Sequence, residues 1–402
     1  MKKIQKKLCS SALLCCLVLG LLTGCGKADK AYKKGIELME DSDYEAAALS
    51  LQSAIDINPE KAEYYITYGM ILNHLEKYDE ALKEFDKAYQ DVSNKISKEN
   101  NKKLYYGKAI AYFNTKNYSD AIFACDSALQ VDECDYLDNT IMMTKAAASQ
   151  LSGDLENALL TYNKIIDEDS KNISAYIERA KIYKNSNDTK NAIADYENAL
   201  KIDSSYYDAY FELYYIYHEQ QNDTKANEYI TKIKDMKPKS ADEFLQVGRA
   251  YYILEDKTNA ANFFEQAARK GSIDAAYYQG MLLMSDGDYT AAADKFKTYI
   301  DTCTPVNIPE VYNQIAGCKI ELEQYDEAQE YLDKGISLGT TSAEKMLRKN
   351  QVILYERTKK YKLAKNAAKE YLASFPDDLD MKKELTFINS RIVTKKLGKK
   401  SN

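Results

Sequence analysis

An alanine that returns at nearly constant spacing constrains this chain more than any other feature. It stands at Ala47, Ala81, Ala121, Ala158, Ala192, Ala226, Ala260, Ala292, Ala328 and Ala364, at successive spacings of 34, 40, 37, 34, 34, 34, 32, 36 and 36. A period of this length marks a stack of small supersecondary units, each burying its apolar face against its neighbours, rather than a few independent domains. Hydrophobic residues make up 45% of the 402-residue chain, enough to supply a continuous core. Only five prolines and fifteen glycines occur, and no stretch alternates apolar and polar residues as a half-buried strand would. The units are therefore expected to be helical.

Most units contain a second small residue, twelve positions before the alanine, such as Gly35, Gly69, Ala109, Ala180, Gly248, Gly280 and Ala316. Four positions after the alanine comes a large apolar or aromatic side chain, as at Leu51, Phe85, Tyr162, Tyr196, Phe264, Phe296 and Leu332. Small residues let two helices approach, and the large one fills the space between them. Short polar segments, including Asp41-Ser42-Asp43, Asn185-Ser186-Asn187-Asp188 and Ser285-Asp286-Gly287-Asp288, supply the bends and the capping residues. Pro59, Pro238 and Pro376 share one slot after the second helix, and Pro305 and Pro309 flank another boundary. None falls inside an expected helix, where it would cost about 3 kcal/mol.

This period, with small residues at fixed points of two antiparallel helices, resembles the tetratricopeptide repeat. The resemblance implies an all-α fold: a right-handed superhelical solenoid of about ten helical hairpins over residues 28–378. Leu385, Ile388 and Ile392 continue at helical spacing, so residues 379–402 are expected to form a capping helix and a basic tail. The pattern departs from the family in places. Tyr65, Tyr105, Tyr176, Tyr210 and Tyr312 stand at the early aromatic position where tryptophan is usual. The fourth unit, with Asn139, Ser149 and Ile165, is the most degenerate, the sixth places Tyr214 at a small-residue position, and the eighth is partly similar to the related Sel1 repeat.

The first residues follow different rules. Lys2, Lys3, Lys6 and Lys7 precede an apolar run from Leu8 to Leu22, 15 residues where a membrane span needs about 20. The run ends in Leu22-Thr23-Gly24-Cys25, which resembles the lipobox of bacterial lipoproteins. That likeness implies a signal peptide over residues 1–24, diacylglyceryl transfer to the Cys25 sulfur, and cleavage before Cys25. Residues 25–27 then form a short link to a body held at the extracytoplasmic side of the cell membrane. Cys15 and Cys16 compete poorly, because Leu14 or Cys15 would stand where a small residue is required. Cleavage removes four basic residues and no acidic one, so the mature charge is 51 − 62 = −11. Such a body is not built for nucleic acid. Lys395, Lys396, Lys399 and Lys400 at the end of the chain are read as a solvated basic tail.

Chemistry-bearing residues are few. Cys125, Cys134, Cys303 and Cys318 include no pair with metal-site spacing; Cys125 reads as a small core residue, and a Cys303–Cys318 bridge is left open. His74 and His218 lie in different units and read as surface polar residues. Sixteen of the 35 tyrosines fall at three recurring packing positions, so they read as structure. No catalytic motif and no cofactor is expected. A protein-interaction scaffold with a protein or peptide partner is the leading function; a solute- or peptide-binding lipoprotein, or an accessory subunit of a cell-envelope complex, is the alternative. In the family the first helix of each unit faces the concave side. Carrying that over selects Lys181, Lys184, Phe211, Tyr215, His218, Arg249, Tyr252, Tyr277 and Met281 as the groove. The Lys/Asn pattern of the carboxylate clamp in co-chaperone repeats is not matched.

Overall fold

In the computed structural model, residues 26–90, 96–303, 308–339 and 341–398 are described; the lipobox with Cys25, Pro305, Lys399 and Lys400 lie outside them. These residues form 21 α-helices and no strand. The chain divides into two compact units at Ile216/Tyr217, within one helix.

The first unit holds α1 (Lys27–Glu40), α2 (Tyr44–Ile57), α3 (Ala62–His74), α4 (Tyr78–Gln90), α5 (Lys98–Asn114), α6 (Tyr118–Leu129), α7 (Asp138–Ser152), α8 (Leu155–Glu168), α9 (Ile173–Asn185), α10 (Thr189–Ile202) and the start of α11 (Tyr207–Glu219). From α1 to α10, each helix packs on its successor, and the first helices of neighbouring pairs also touch, α3 on α5 and α5 on α7. In the second unit come α12 (Asp223–Lys234), α13 (Ala241–Ile253), α14 (Lys257–Arg269), α15 (Asp274–Ser285), α16 (Tyr289–Thr302), α17 (Pro309–Glu321), α18 (Tyr325–Ser337), α19 (Thr341–Arg357), α20 (Tyr361–Ser374) and α21 (Leu379–Gly398). The same order repeats there, with α13 on α15 and α17 on α19. The result is an all-helical solenoid.

The packing follows from side-chain size. All ten repeat alanines are fully buried, and the residue four places later is equally inaccessible each time: Leu51, Phe85, Cys125, Tyr162, Tyr196, Ile230, Phe264, Phe296, Leu332 and Ala368. The small residues on the first helices meet these fillers directly. A Cβ added to Gly69 would lie 2.7 Å from the Phe85 ring, and one on Gly248 or Gly280 would lie 2.6 or 2.8 Å from Phe264 or Phe296. Only glycine admits a ring so close to the helix backbone.

The turns are as regular as the core. Ser42, Glu76, Lys116, Gly153 and Asn187 in the first unit, and Gln221, Glu255, Gly287, Glu323 and Lys359 in the second, all take positive φ, each five residues before its alanine. The next backbone N–H then reaches back five residues to a carbonyl at 2.8–3.0 Å, as in Asp43 to Leu38 and Asp256 to Tyr251. This is a Schellman ending. The same donor residue starts the second helix, and in six turns (Asp43, Asp154, Asp188, Asn222, Asp256 and Asp288) its side chain caps it. One residue thus closes one helix and opens the next.

Other contacts correct the sequence reading. His74 is not a surface residue: it is half-buried, stacks on Tyr44 with centroids 4.4 Å apart, and burial lowers its pKa. None of the four described cysteines is disulfide-bonded, Cys303 and Cys318 included. Burial pushes the Cys318 thiol up to about 11 and that of Cys125 higher still, which keeps both protonated and unreactive. Among the described residues no helix is long and apolar enough to cross a membrane.

Candidate functional site

Contacts between first helices join α3, α5 and α7 in the first unit, and α13 with α15 and α17 with α19 in the second. The candidate positions lie one and four residues after the small residue; in several pairs they are buried, as at Met39, Met70, Ile110 and Ile320, and in the central pairs they reach the surface.

In the first unit, Lys181 and Lys184 of α9 occupy such positions. Lys181 Nζ lies 2.7 Å from Glu178 Oε1, and Lys184 Nζ lies 2.6 Å from Glu212 Oε2 on α11. Both cations are therefore already paired, and a ligand carboxylate would have to displace a protein carboxylate. Tyr215 is exposed and stands edge-on to Tyr214 at 5.3 Å. Beside them Arg179 is held more firmly. It makes a two-pronged contact with Asp195 of α10 at 2.6 and 2.7 Å and donates to Asn163 of α8 at 2.6 Å. The Asp195 contact raises the already high pKa of the guanidinium, so its charge is fixed.

Phe211 does not belong to this surface: it is 3% exposed. Its position, three residues before the small-residue slot, is a packing position throughout. Ile66, Tyr106, Ile177 and Leu245 hold the same register and are all buried. One turn of helix separates that slot from the small residue, so both face the second helix. These apolar residues are the sequence signal that places Phe211 inside.

In the second unit, Arg249 and Tyr252 lie on α13, and Tyr277 and Met281 on α15. Arg249 donates to Gln246 Oε1 at 2.6 Å, and its guanidinium lies 5.5 Å from the ring centroid of Tyr278 on α15. Tyr252 is half-buried, and desolvation raises the pKa of its phenol. Tyr277 shares the register of Phe211 and likewise packs inward: its ring contacts Tyr278, Phe296 and Tyr299 at centroid distances of 5.3–5.7 Å. Met281 is half-buried against the same cluster. His218 is 58% exposed, with Nδ1 2.7 Å from Asp223 Oδ1. Among the described residues, no group of three or more His, Cys, Asp or Glu side chains is arranged to hold a metal.

Unit by unit, half-exposed rings and paired charges line these first helices. Tetratricopeptide-repeat models match residues 32–96 and 245–307, and further ones match 173–206 and 309–338. The chain carries tetratricopeptide repeats. The matched segment 245–307 includes the eighth pair, α15 and α16.

No curated protein sequence matches the chain. Among solved structures, a tetratricopeptide repeat protein from Parabacteroides merdae is 16% identical, with a TM-score of 0.46 over 61% of this chain and 98% of that one. Cut9–Hcn1 of the APC/C is 12% identical, with a TM-score of 0.46 over 90% and 96%. Yeast Tom70 is 13% identical, with a TM-score of 0.44 over 92% and 96%. At these identities and scores, the likenesses say nothing of what this chain binds.

Proposed function

We propose that this chain is a lipid-anchored interaction scaffold on the extracytoplasmic face of the membrane. Residues 1–24 act as the signal peptide, and Cys25 carries the lipid. Residues 28–378 form ten hairpins in a right-handed superhelix, and α21 caps the last one. The face of the first helices receives a protein or peptide, with no chemistry performed on it. Repeat proteins of this kind mediate protein–protein contacts. One observation carries the reading: Arg249 and Tyr252 present a planar cation and a half-buried ring on α13, a helix held by the close contact of Gly248 with Phe264. Rigid residues of these types lose little entropy on binding.

Two measurements test the parts separately. Fatty-acid labelling of the chain should vanish in Cys25→Ala, and retained labelling would sink the anchor. Once a partner is captured, Arg249→Ala and Tyr252→Ala should each weaken it by about 1–3 kcal/mol in calorimetry with thermal stability nearly unchanged. Unchanged affinity in both variants would move the interaction to another face.

A further inference from the structure

The first helix carries its charges in the order that least suits a helix. Lys27 and Lys30 stand in its first turn, Lys33 and Lys34 follow, and Glu37 and Glu40 end it. Cations oppose the positive N-terminal end of the helix dipole, and anions oppose its negative end. The arrangement costs the helix stability, so its function lies outside the helix.

All four lysines are exposed, and none is in an ion pair with any described residue. At about 100° per residue they fall within one arc of about 120°. That arc lies opposite the side holding Ala28, Tyr32, Gly35 and Met39, which packs on the rest of the unit. The carboxylates near this end are engaged or lie on other elements. Asp29 is held by Lys61 at 2.6 Å and Tyr64 at 2.5 Å, Glu63 lies 3.5 Å from Lys61, Asp56 accepts from Gln52, and Glu60 follows α2. The Asp29 contacts also fasten α1 to α3.

Because α1 and α2 form an antiparallel hairpin, the lysines share the open end with the last turn of α2, where Ile57 is 50% exposed. The opposite end, at the turn, collects Glu37, Glu40, Asp41, Asp43 and Glu45. Lys27 lies about 20 Å of helix from Glu40, twice a physiological Debye length of about 8–10 Å, whereas Glu37 lies one turn from Lys33 and Lys34 on the same face. Lys27 and Lys30, at the open end, are therefore largely screened from the acidic turn.

We infer that the open end of the first hairpin is a docking surface for anionic phospholipid headgroups, with Lys27, Lys30, Lys33 and Lys34 as the contact and Ile57 beside them. The acidic turn points away from the membrane, which orients the hairpin. The inference rests on the anchoring reading, since Cys25 immediately precedes Gly26 and would deliver this end to the lipid. An acyl anchor holds a protein at a membrane without orienting it, whereas a basic face beside the anchor supplies the second, directional contact.

Lysine acylation footprinting tests the surface directly. The full lipidated chain is reconstituted on vesicles of phosphatidylcholine alone or containing phosphatidylglycerol, and modification rates are read by mass spectrometry. A lysine near an anionic surface is favoured there about fivefold. The four lysines should therefore react several-fold more slowly on phosphatidylglycerol vesicles, with exposed Lys190 of α10 unchanged and added salt restoring the rates. Lys30→Glu combined with Lys34→Glu should abolish the slowing at Lys27 and Lys33. Equal rates on both vesicles overturn the proposal. So does slowing on phosphatidylcholine that requires a co-purified protein, which would assign the face to that protein. If labelling shows Cys25 unmodified, the anchoring reading fails; the chain is then added to the same vesicles unanchored, and selective slowing at the four lysines still decides the surface.

Discussion

Helix α5 takes part in two junctions that solve the same packing problem by different means. Toward α3 and α4 it presents Gly107, and Phe85 lies between Gly107 and Gly69, so close that a Cβ on either glycine would collide with the ring. Toward α6 and α7 it presents Lys102, a lysine with 1% of its side chain exposed. Its Nζ lies 2.5 Å from Asp138 Oδ1 and donates to the carbonyls of Val131 and Glu133 at 3.2 and 2.7 Å. Alanine spacing does not separate the two, since it is 40 from Ala81 to Ala121, across the ring junction. Between Ala121 and Ala158 it is 37, and the additional residues form a 3₁₀ turn, Asp135–Leu137, entered through Cys134 at positive φ. An irregular loop leaves carbonyls without helical partners, and the lysine supplies the donors. The ring junction also has a polar contact, with Asn73 Nδ2 donating to the Gly107 carbonyl at 2.9 Å, but its filler is apolar, whereas at the loop the filler is a charge.

The two junctions should respond differently to mutation. Phe85→Ala empties a site that two helices enclose, and glycines cannot refill it. A loss of about 3–5 kcal/mol is expected. Urea unfolding followed by circular dichroism measures it, and a loss below about 1 kcal/mol would show that the helices collapse onto the gap.

Lys102→Met keeps the buried stem but removes the ammonium, leaving Asp138 without its counter-charge and the Glu133 carbonyl without its donor, while Val131 keeps the Glu133 N–H. Breaking a buried pair costs about 3–5 kcal/mol, and because Asp138 is partly exposed about 2–3 kcal/mol is expected. Hydrogen exchange should place the loosening at residues 130–138 and spare α3 and α4. Uniform loosening across the first unit would contradict the comparison.

A third polar junction, in the second unit, lacks the opposite charge that Lys102 finds. Glu356 of α19 has a buried carboxyl oxygen without a partner and faces Glu384 of α21. Burial and that second carboxyl push its pKa up to about 7 from an ordinary value near 4.5. The folded state thus holds a proton that the unfolded chain releases, so this contribution is complete below about pH 4.5 and is lost as pH rises through 7. After discounting for solvent screening, the loss is about 1 kcal/mol. Glu356→Gln should remove that slope from the pH profile of thermal stability; a profile identical to the parent's would place the carboxyl in water.

How much of this could be read beforehand depends on the kind of information each feature uses. The buried lattice was legible because alanine and its filler recur as residue types, and burial of apolar groups needs only the right type at the right place. The turns were legible as bends but not as Schellman endings, because positive φ at Glu76, Lys116, Gln221, Glu255, Glu323 and Lys359 leaves no mark in the residue type. Lys102 was illegible: a lysine in a helix reads as solvated until the loop that needs it is in view. On the candidate site, Arg249, Tyr252, Lys181 and Lys184 are at the surface as expected, yet the carboxylates pairing the lysines come from Glu178 and a separate helix. Phe211 and Tyr277 were misassigned because the position before the small residue was taken as open. Ile66, Tyr106, Ile177 and Leu245 mark it as a packing slot.

The smallest effect lies in the turns that flank the irregular junction, where two residue types adopt one conformation. Lys116 closes α5 at φ 64°, and Gly153 closes α7 at φ 89°. An L-residue in this left-handed region costs roughly 1–2 kcal/mol through contact of its Cβ with the backbone, while glycine costs about 0.5–1 kcal/mol in unfolded-chain entropy. Lys116→Gly should therefore stabilise by about 0.5–1 kcal/mol, since its side chain is exposed and makes no described contact that would be lost. Gly153→Ala should destabilise by a similar amount. Nothing lies within 4 Å of a Cβ placed there, so steric packing contributes nothing and the backbone term is read alone. Equal and opposite shifts in urea midpoint would mean that the turn geometry is imposed by the repeat, whatever residue occupies it. If both variants lost stability, the Lys116 side chain would have to contribute at least as much as its strained backbone costs, and the two turns would not be equivalent.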